Sequence, residues 1–147
     1  MKKYDNFKAA LNNLKDIYDY KEPYGNVEIA GIVGLYEICF EQAWKAMKEL
    51  LENYGYDVID LGKDVPYQAV VDAVKENDVK LVGLSALMTT TLVSMKETIE
   101  LLHENNLDCK VMVGGAVLTP EYAKEIHADF YAKDAKESVD IAKRVLG

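Results

Sequence analysis

The chain has 147 residues with 17 basic and 25 acidic side chains, and its formal charge of −8 opposes nonspecific attraction to nucleic acid or anionic lipid. Although 50% of the residues are apolar, no run approaches the ~20 consecutive apolar residues that span a bilayer. The opening MKKYDNFKAALNNL lacks the apolar core of a secretion signal, so the reading is a cytoplasmic protein of one domain's length.

Phe7, Ala10, Leu11, Leu14, Ile17 and Tyr18 recur at three- and four-residue spacings, which predicts an amphipathic helix over 5–19. DYKEPYG ends it with a proline and a glycine. That helix closes one face of the domain, caps a ligand site, or forms a subunit contact. From Asn26 the pattern alternates. VEIAGIVG (27–34) is apolar and rich in β-branched residues and predicts a first strand. Residues 40–54 read as a helix with a stripe of Ala43, Met47, Leu50, Leu51 and Tyr54, and YDVIDLG (56–62) as a second strand. Pro66 opens the next helix. KLVGLSA is the third strand, 91–105 a helix, and CKVMVGGA the fourth strand. A helix begins at Pro120, ADFYAKD is a short last strand, and SVDIAKRVL closes the chain as a helix.

Strands separated by helices predict an α/β fold with a parallel sheet covered on both faces. The expected architecture is flavodoxin-like, Rossmann-type and doubly wound, with five strands in the order 2-1-3-4-5. Residues 1–25 would be an N-terminal helix and connector, and 26–147 the α/β domain. In such sheets ligands lie beyond the carboxyl ends of the strands. That rule selects a loop at Leu35 to Glu41, a second at Ser85 to Thr91, and the Gly114–Gly115 pair. The first loop, within GLYEICFEQ, is bulky and acidic, which argues against a flavin phosphate site. A phosphorylation receiver would need clustered acids after the first strand and an acceptor aspartate after the third; Ser85 stands there instead.

GYDVIDLG at 55–62, VGLSALMTTT at 82–91 and VMVGGAVLT at 111–119 resemble a known family. It is the cobalamin-binding domain of cobalamin-dependent methionine synthase and of the corrinoid proteins serving methanol, methylamine and methoxyaromatic methyltransferases. The similarity runs from about residue 27 to the C-terminus. The family signature is DxHxxG after the first strand, SxL after the third and GG after the fourth. The last two stand here as Ser85-Ala86-Leu87 and Gly114-Gly115. The resemblance implies a bound cobalamin whose nucleotide tail threads between the third and fourth strands. Ser85 would hydrogen-bond the displaced base, Thr89 or neighbouring Thr90 would contact the tail, and the glycines would leave it room. Leu87 and Ala116 would flank these, and Met88 would either line the corrin or fill a gap.

The family's first motif supplies a histidine to the lower face of cobalt. Its place falls near Ile38 counted from the first strand, or near Phe40 counted back from Asp60, and neither is histidine. Tyr36, Glu37 and Cys39 are the oxygen and sulfur donors of that loop, and Tyr36, Ile38, Cys39 and Phe40 complete the expected cofactor-facing set. His103 and His127 fall toward the amino ends of the strands, away from this edge. The two cysteines, Cys39 and Cys109, form neither a CxxC pair nor a disulfide framework. Asp57, Asp60 and Asp64 read as solvated charge. No catalytic residue and no protein ligand to metal is expected. The resemblance thus implies a methyl-carrying component, not a complete enzyme, that works with methyltransferase subunits. The alternatives are a noncatalytic cobalamin storage, delivery or sensing protein, and a cofactor-free interaction domain of the same fold.

Overall fold

The computed structural model describes residues 2–147. The chain forms two compact units, one up to Ile59 and the other Asp60–Gly147.

The first unit is a helical hairpin. Helix α1 (Lys2–Lys15) packs on α2 (Asn26–Asn53), with a 3-10 turn at Asp16–Asp19 between them. The predicted strand at 27–34 is absent: those residues are the first turns of a continuous 28-residue helix. An apolar run of eight residues has no period that separates a buried strand from a helix. Here the flanks decide. The Gly25 N–H donates to the Glu28 carboxylate at 2.6 Å, which caps the start. The downstream residues Ala43, Lys45, Ala46, Met47, Lys48, Glu49, Leu50 and Leu51 are strong helix formers that carry the same helix onward. With 27–34 helical, 56–62 has no neighbouring strand to pair with and forms no strand either. It turns instead, the Asp60 carboxylate accepting the Gly62 N–H at 3.0 Å, with Gly62 at φ +90°.

The second unit is the α/β part. In order it contains α3 (Tyr67–Asn77), β1 (Leu81–Ser85), α4 (Leu92–Glu104), β2 (Lys110–Gly114), α5 (Pro120–Glu125), β3 (Phe130–Ala132) and α6 (Ala135–Leu146). Among the described residues the sheet has three parallel strands in the order β1-β2-β3, so the expected five-stranded order 2-1-3-4-5 is corrected to its last three members. The side chains alternate between faces. Val82, Val111 and Val113 belong to a core with Val71, Ile99, Leu102 and Ile126 from the helices and their ends. The opposite face meets α6, which buries Val139, Ile141 and Ala142 and touches all three strands. Arg144 of that helix stands 6.0 Å from the centre of the Phe130 ring.

The helix starts follow local chemistry. Thr119 and Asp134 accept N–H groups of the first turns of α5 and α6, from Tyr122 at 3.2 Å and Glu137 at 2.8 Å. Pro120 occupies the first turn of α5.

Candidate cofactor site at the carboxyl edge of the sheet

Ser85 and Gly114, 29 positions apart in sequence, are register partners at the carboxyl ends of β1 and β2. The ladder continues one step further, with Ala86 N–H donating to the Gly114 carbonyl at 3.1 Å. Gly115 stands at φ +130°, and a Cβ built there would lie 2.1 Å from the Ala86 oxygen. A Cβ at Gly114 would meet the Ala132 oxygen at 2.8 Å. Both glycines are therefore required by backbone packing at the three strand ends, and the space beside them belongs to Ala86 and Ala132. At Gly83, by contrast, a Cβ would meet Met112 at an ordinary 3.6 Å.

The open part of this edge is a rim of small and hydroxylated residues. Ser85, Thr89, Thr90 and Ala116 are exposed, Met88 is 62% exposed, and Leu87 is half-buried. Thr91 is committed locally, its hydroxyl donating to the Met88 carbonyl at 2.8 Å. Two tyrosines that the sequence reading passed over fix the loops behind the rim. Tyr122 OH donates to the Leu92 carbonyl and Tyr131 OH to the Leu118 carbonyl, each at 3.3 Å. Neither had a signal beyond an aromatic at a half-buried position.

Ion pairs hold the other edge, while at the carboxyl edge Lys133 and Asp134 follow β3 directly. Lys80 pairs with Asp78 at 2.9 Å and Asp108 at 3.5 Å, and Lys110 pairs with Asp129 at 2.8 Å. The second oxygen of Asp129 accepts the Val111 N–H at 2.8 Å, tying the start of β2 to the residue before β3. Hydrogen bonds to Asp78 and Asp129 raise the lysine pKa values above their ordinary range. Burial, aided by Asp129 and Asp108, pushes the Cys109 thiol up. The exposed His103 and His127 also sit toward this amino edge, in the last turn of α4 and before β3 respectively.

The remaining expected cofactor residues lie in the first unit. Tyr36, Ile38, Cys39 and Phe40 are on α2, so the expected loop after a first strand is a helix. The structure brings Tyr36, Cys39 and Phe40 together with Phe7, Leu11, Leu14 and Ala43 around an apolar cleft of about 260 Å³. Ile38 points elsewhere on the helix and is exposed. Among the described residues no group of His, Cys, Asp and Glu could hold a metal ion, and no helix is long and apolar enough to cross a membrane.

The rim suits a large neutral ligand. From Leu81 to Met95 and from Val111 to Pro120 there is no charged side chain, in a chain that is 29% charged overall. Hydroxyls and backbone groups are what an amide-rich cofactor edge, as of a corrinoid, would hydrogen-bond. A parallel α/β sheet with such a carboxyl edge defines a Rossmann-like ligand-binding domain. Residues 32–140 match the B12 binding domain. The chain belongs to that B12-binding domain family, whose cofactor is cobalamin. It is 46% identical over 99 residues to dimethylamine corrinoid protein 3 of Methanosarcina acetivorans, covering 66% of this chain and 46% of the relative. The chain thus spans about half the length of such relatives. Its fold is similar to a cobalamin-binding protein from Desulfitobacterium hafniense, with a TM-score of 0.68 and 36% identity over 71% of this chain and 52% of that one. It is also similar to the monomethylamine corrinoid protein of Methanosarcina barkeri, with a TM-score of 0.65 and 32% identity over 70% of this chain and 50% of that one.

Proposed function

We propose that this chain is the methyl-carrying component of a corrinoid-dependent methyltransferase system in the cytoplasm, residues 26–147 providing the cofactor-binding part. The observation that carries the reading is the register pair Ser85↔Gly114, which sets two short motifs side by side at the carboxyl edge. Cobalamin would bind with its base displaced and its nucleotide tail along that edge. Ser85 would donate or accept a hydrogen bond at the base. Thr89 and Thr90 would meet the tail's polar groups, with Leu87, Met88 and Ala116 as its apolar and small neighbours. Tyr36, Ile38, Cys39 and Phe40 are proposed to contact the corrin. When bound, the corrinoid supplies a cobalt centre that accepts a methyl group from a donor and passes it to an acceptor. This chain's own contribution is to bind, orient and leave one face open to a partner methyltransferase subunit, which would bring the substrate site. The reading is supported by relatives that are corrinoid proteins of methylamine systems.

The sequence holds only two histidines, and Ile38 and Phe40 stand where the family ligand is expected. That feature favours a second reading, a noncatalytic cobalamin storage, delivery or sensing protein. The test is titration of the purified chain with cobalamin, followed by its visible spectrum, and then methyl transfer with corrinoid methyltransferase subunits. Ser85→Ala removes one hydrogen bond from an exposed position and should weaken binding by about 3- to 10-fold without changing the unfolding midpoint. Absence of binding by the native chain would overturn both corrinoid readings; binding without transfer would favour the second.

A further inference from the structure

We propose that the phenol hydroxyls of Tyr122 and Tyr131 are positioning groups for the corrinoid's nucleotide tail, holding in place the two turns that flank it. The inference rests on the cofactor reading above and extends it to two residues outside the proposed contact set. Both turns are built alike. After β1, the Thr91 N–H donates to the Met88 carbonyl at 3.2 Å and closes a 3-10 turn that carries Thr89 and Thr90. After β2, the Leu118 N–H donates to the Gly115 carbonyl at 3.4 Å and closes a turn that carries Ala116 and Val117. Thr89, Thr90 and Ala116 are exposed at these tips, whereas Leu118 is buried. A turn beyond a strand end lies outside the ladder, and its place depends on groups that tie it back.

In each case a tyrosine from a later element makes that tie. Tyr131 on β3 donates to the carbonyl of Leu118, the last residue of the second turn, at 3.3 Å. Tyr122 on α5 donates to the carbonyl of Leu92, directly after the first turn, at 3.3 Å. The two ties meet in one short segment, Leu118 to Tyr122, where the Tyr122 N–H donates to the Thr119 hydroxyl at 3.2 Å. Strand β3, the second turn, α5 and the first turn are thereby connected in series. The separation of the two tips is set before a ligand arrives, which spares binding the cost of ordering them. Packing alone does not account for the hydroxyls. Both rings pack against the core, a role phenylalanine fills equally. Leu92 opens α4, so its carbonyl already accepts the helical N–H four residues on, and the phenol is an additional partner there.

The experiment compares cobalamin with cobinamide, a corrinoid that lacks the nucleotide tail. Titration of the full chain, followed by visible absorbance, gives a dissociation constant for each. Tyr122→Phe and Tyr131→Phe should each raise the cobalamin constant by about 3- to 10-fold and leave the cobinamide constant within about 2-fold. General damage to the fold would weaken both. Hydrogen exchange of the ligand-free chain is an independent readout. Tyr122→Phe should speed exchange of the Thr91 amide, and Tyr131→Phe that of the Leu118 amide, by about 3- to 10-fold. The Val111 amide, bonded to Asp129 at the amino edge, should exchange as in the parent. Unchanged cobalamin affinity, equal weakening of both corrinoids, or unchanged exchange at Thr91 and Leu118 overturns the proposal. A native chain that binds neither corrinoid overturns the cofactor reading and this inference with it, whereas native binding with unmoved variants overturns the inference alone.

Discussion

Three glycines of one sheet should respond to the same substitution in different ways. At Gly115 an alanine Cβ would sit 2.1 Å from the Ala86 oxygen on a backbone at φ +130°. The conformational strain is worth about 1–3 kcal/mol and the overlap, which only backbone movement relieves, another 1–3 kcal/mol. Gly115→Ala should therefore cost about 4 kcal/mol. For a unit of this size that lowers the melting temperature by roughly 20 °C. Gly114→Ala lacks the strained φ but meets the Ala132 oxygen at 2.8 Å, and should cost about 1–3 kcal/mol. At Gly83 the nearest atom is the flexible end of Met112 at 3.6 Å. There the loss of unfolded-chain entropy should make alanine neutral or up to about 1 kcal/mol stabilising. Urea unfolding followed by circular dichroism measures all three. If Gly115→Ala stays within about 1 kcal/mol of the parent, the close approach of the β2 end to Ala86 is wrong, and with it the explanation of the glycine pair.

Two further outcomes test the cobalt environment and the amino edge. In the cobalamin-loaded protein reduced to cobalt(II), electron paramagnetic resonance should show no superhyperfine splitting from an axial nitrogen. The base is proposed to be displaced and both histidines lie toward the other edge; observed splitting would refute the proposed axial environment. Burial raises the Cys109 pKa above the ordinary 9.0, so the thiolate is disfavoured at neutral pH. Alkylation of a Cys39→Ser variant by iodoacetamide at pH 8 should be at least several-fold slower than of the same variant unfolded in urea, and equal rates would contradict the burial.

The stretch from Pro66 onward was largely legible because each element there carries two independent signals. Pro120 and Thr119 mark the start of α5 while Ala123 and Ile126 supply its buried side. LVGLS and KVMVG are short apolar runs bounded by helices, and each became a strand. The juxtaposition of Ser85 with Gly114 was legible in kind, since both were placed at strand carboxyl ends, but the register was set by the ladder. Residues 27–34 failed because β-branched content was the sole signal. Val27, Ile29, Ile32 and Val33 favour a strand only when neighbours supply a ladder, whereas the Glu28 cap and the downstream helix formers act locally. The 56–62 strand fell with it, since extended backbone needs a partner that the first run no longer provides. Tyr36, Cys39 and Phe40 moved from an expected loop to a helix for the same reason.

Ion pairs at the amino edge of the sheet, set against uncharged stretches at the carboxyl ends of β1 and β2, give ionic strength a selective grip on this molecule. Lys80 and Lys110 hold the amino edge through exposed pairs with Asp78, Asp108 and Asp129. Added salt weakens such pairs, each worth at most about 1 kcal/mol, within a screening length of ~8 Å at physiological concentration. Near the carboxyl edge, the stretches Leu81 to Met95 and Val111 to Pro120 contain no ion for salt to screen. Salt therefore loosens the scaffold slightly while leaving the direct contacts of a neutral ligand unchanged, so affinity and stability are decoupled along one experimental axis.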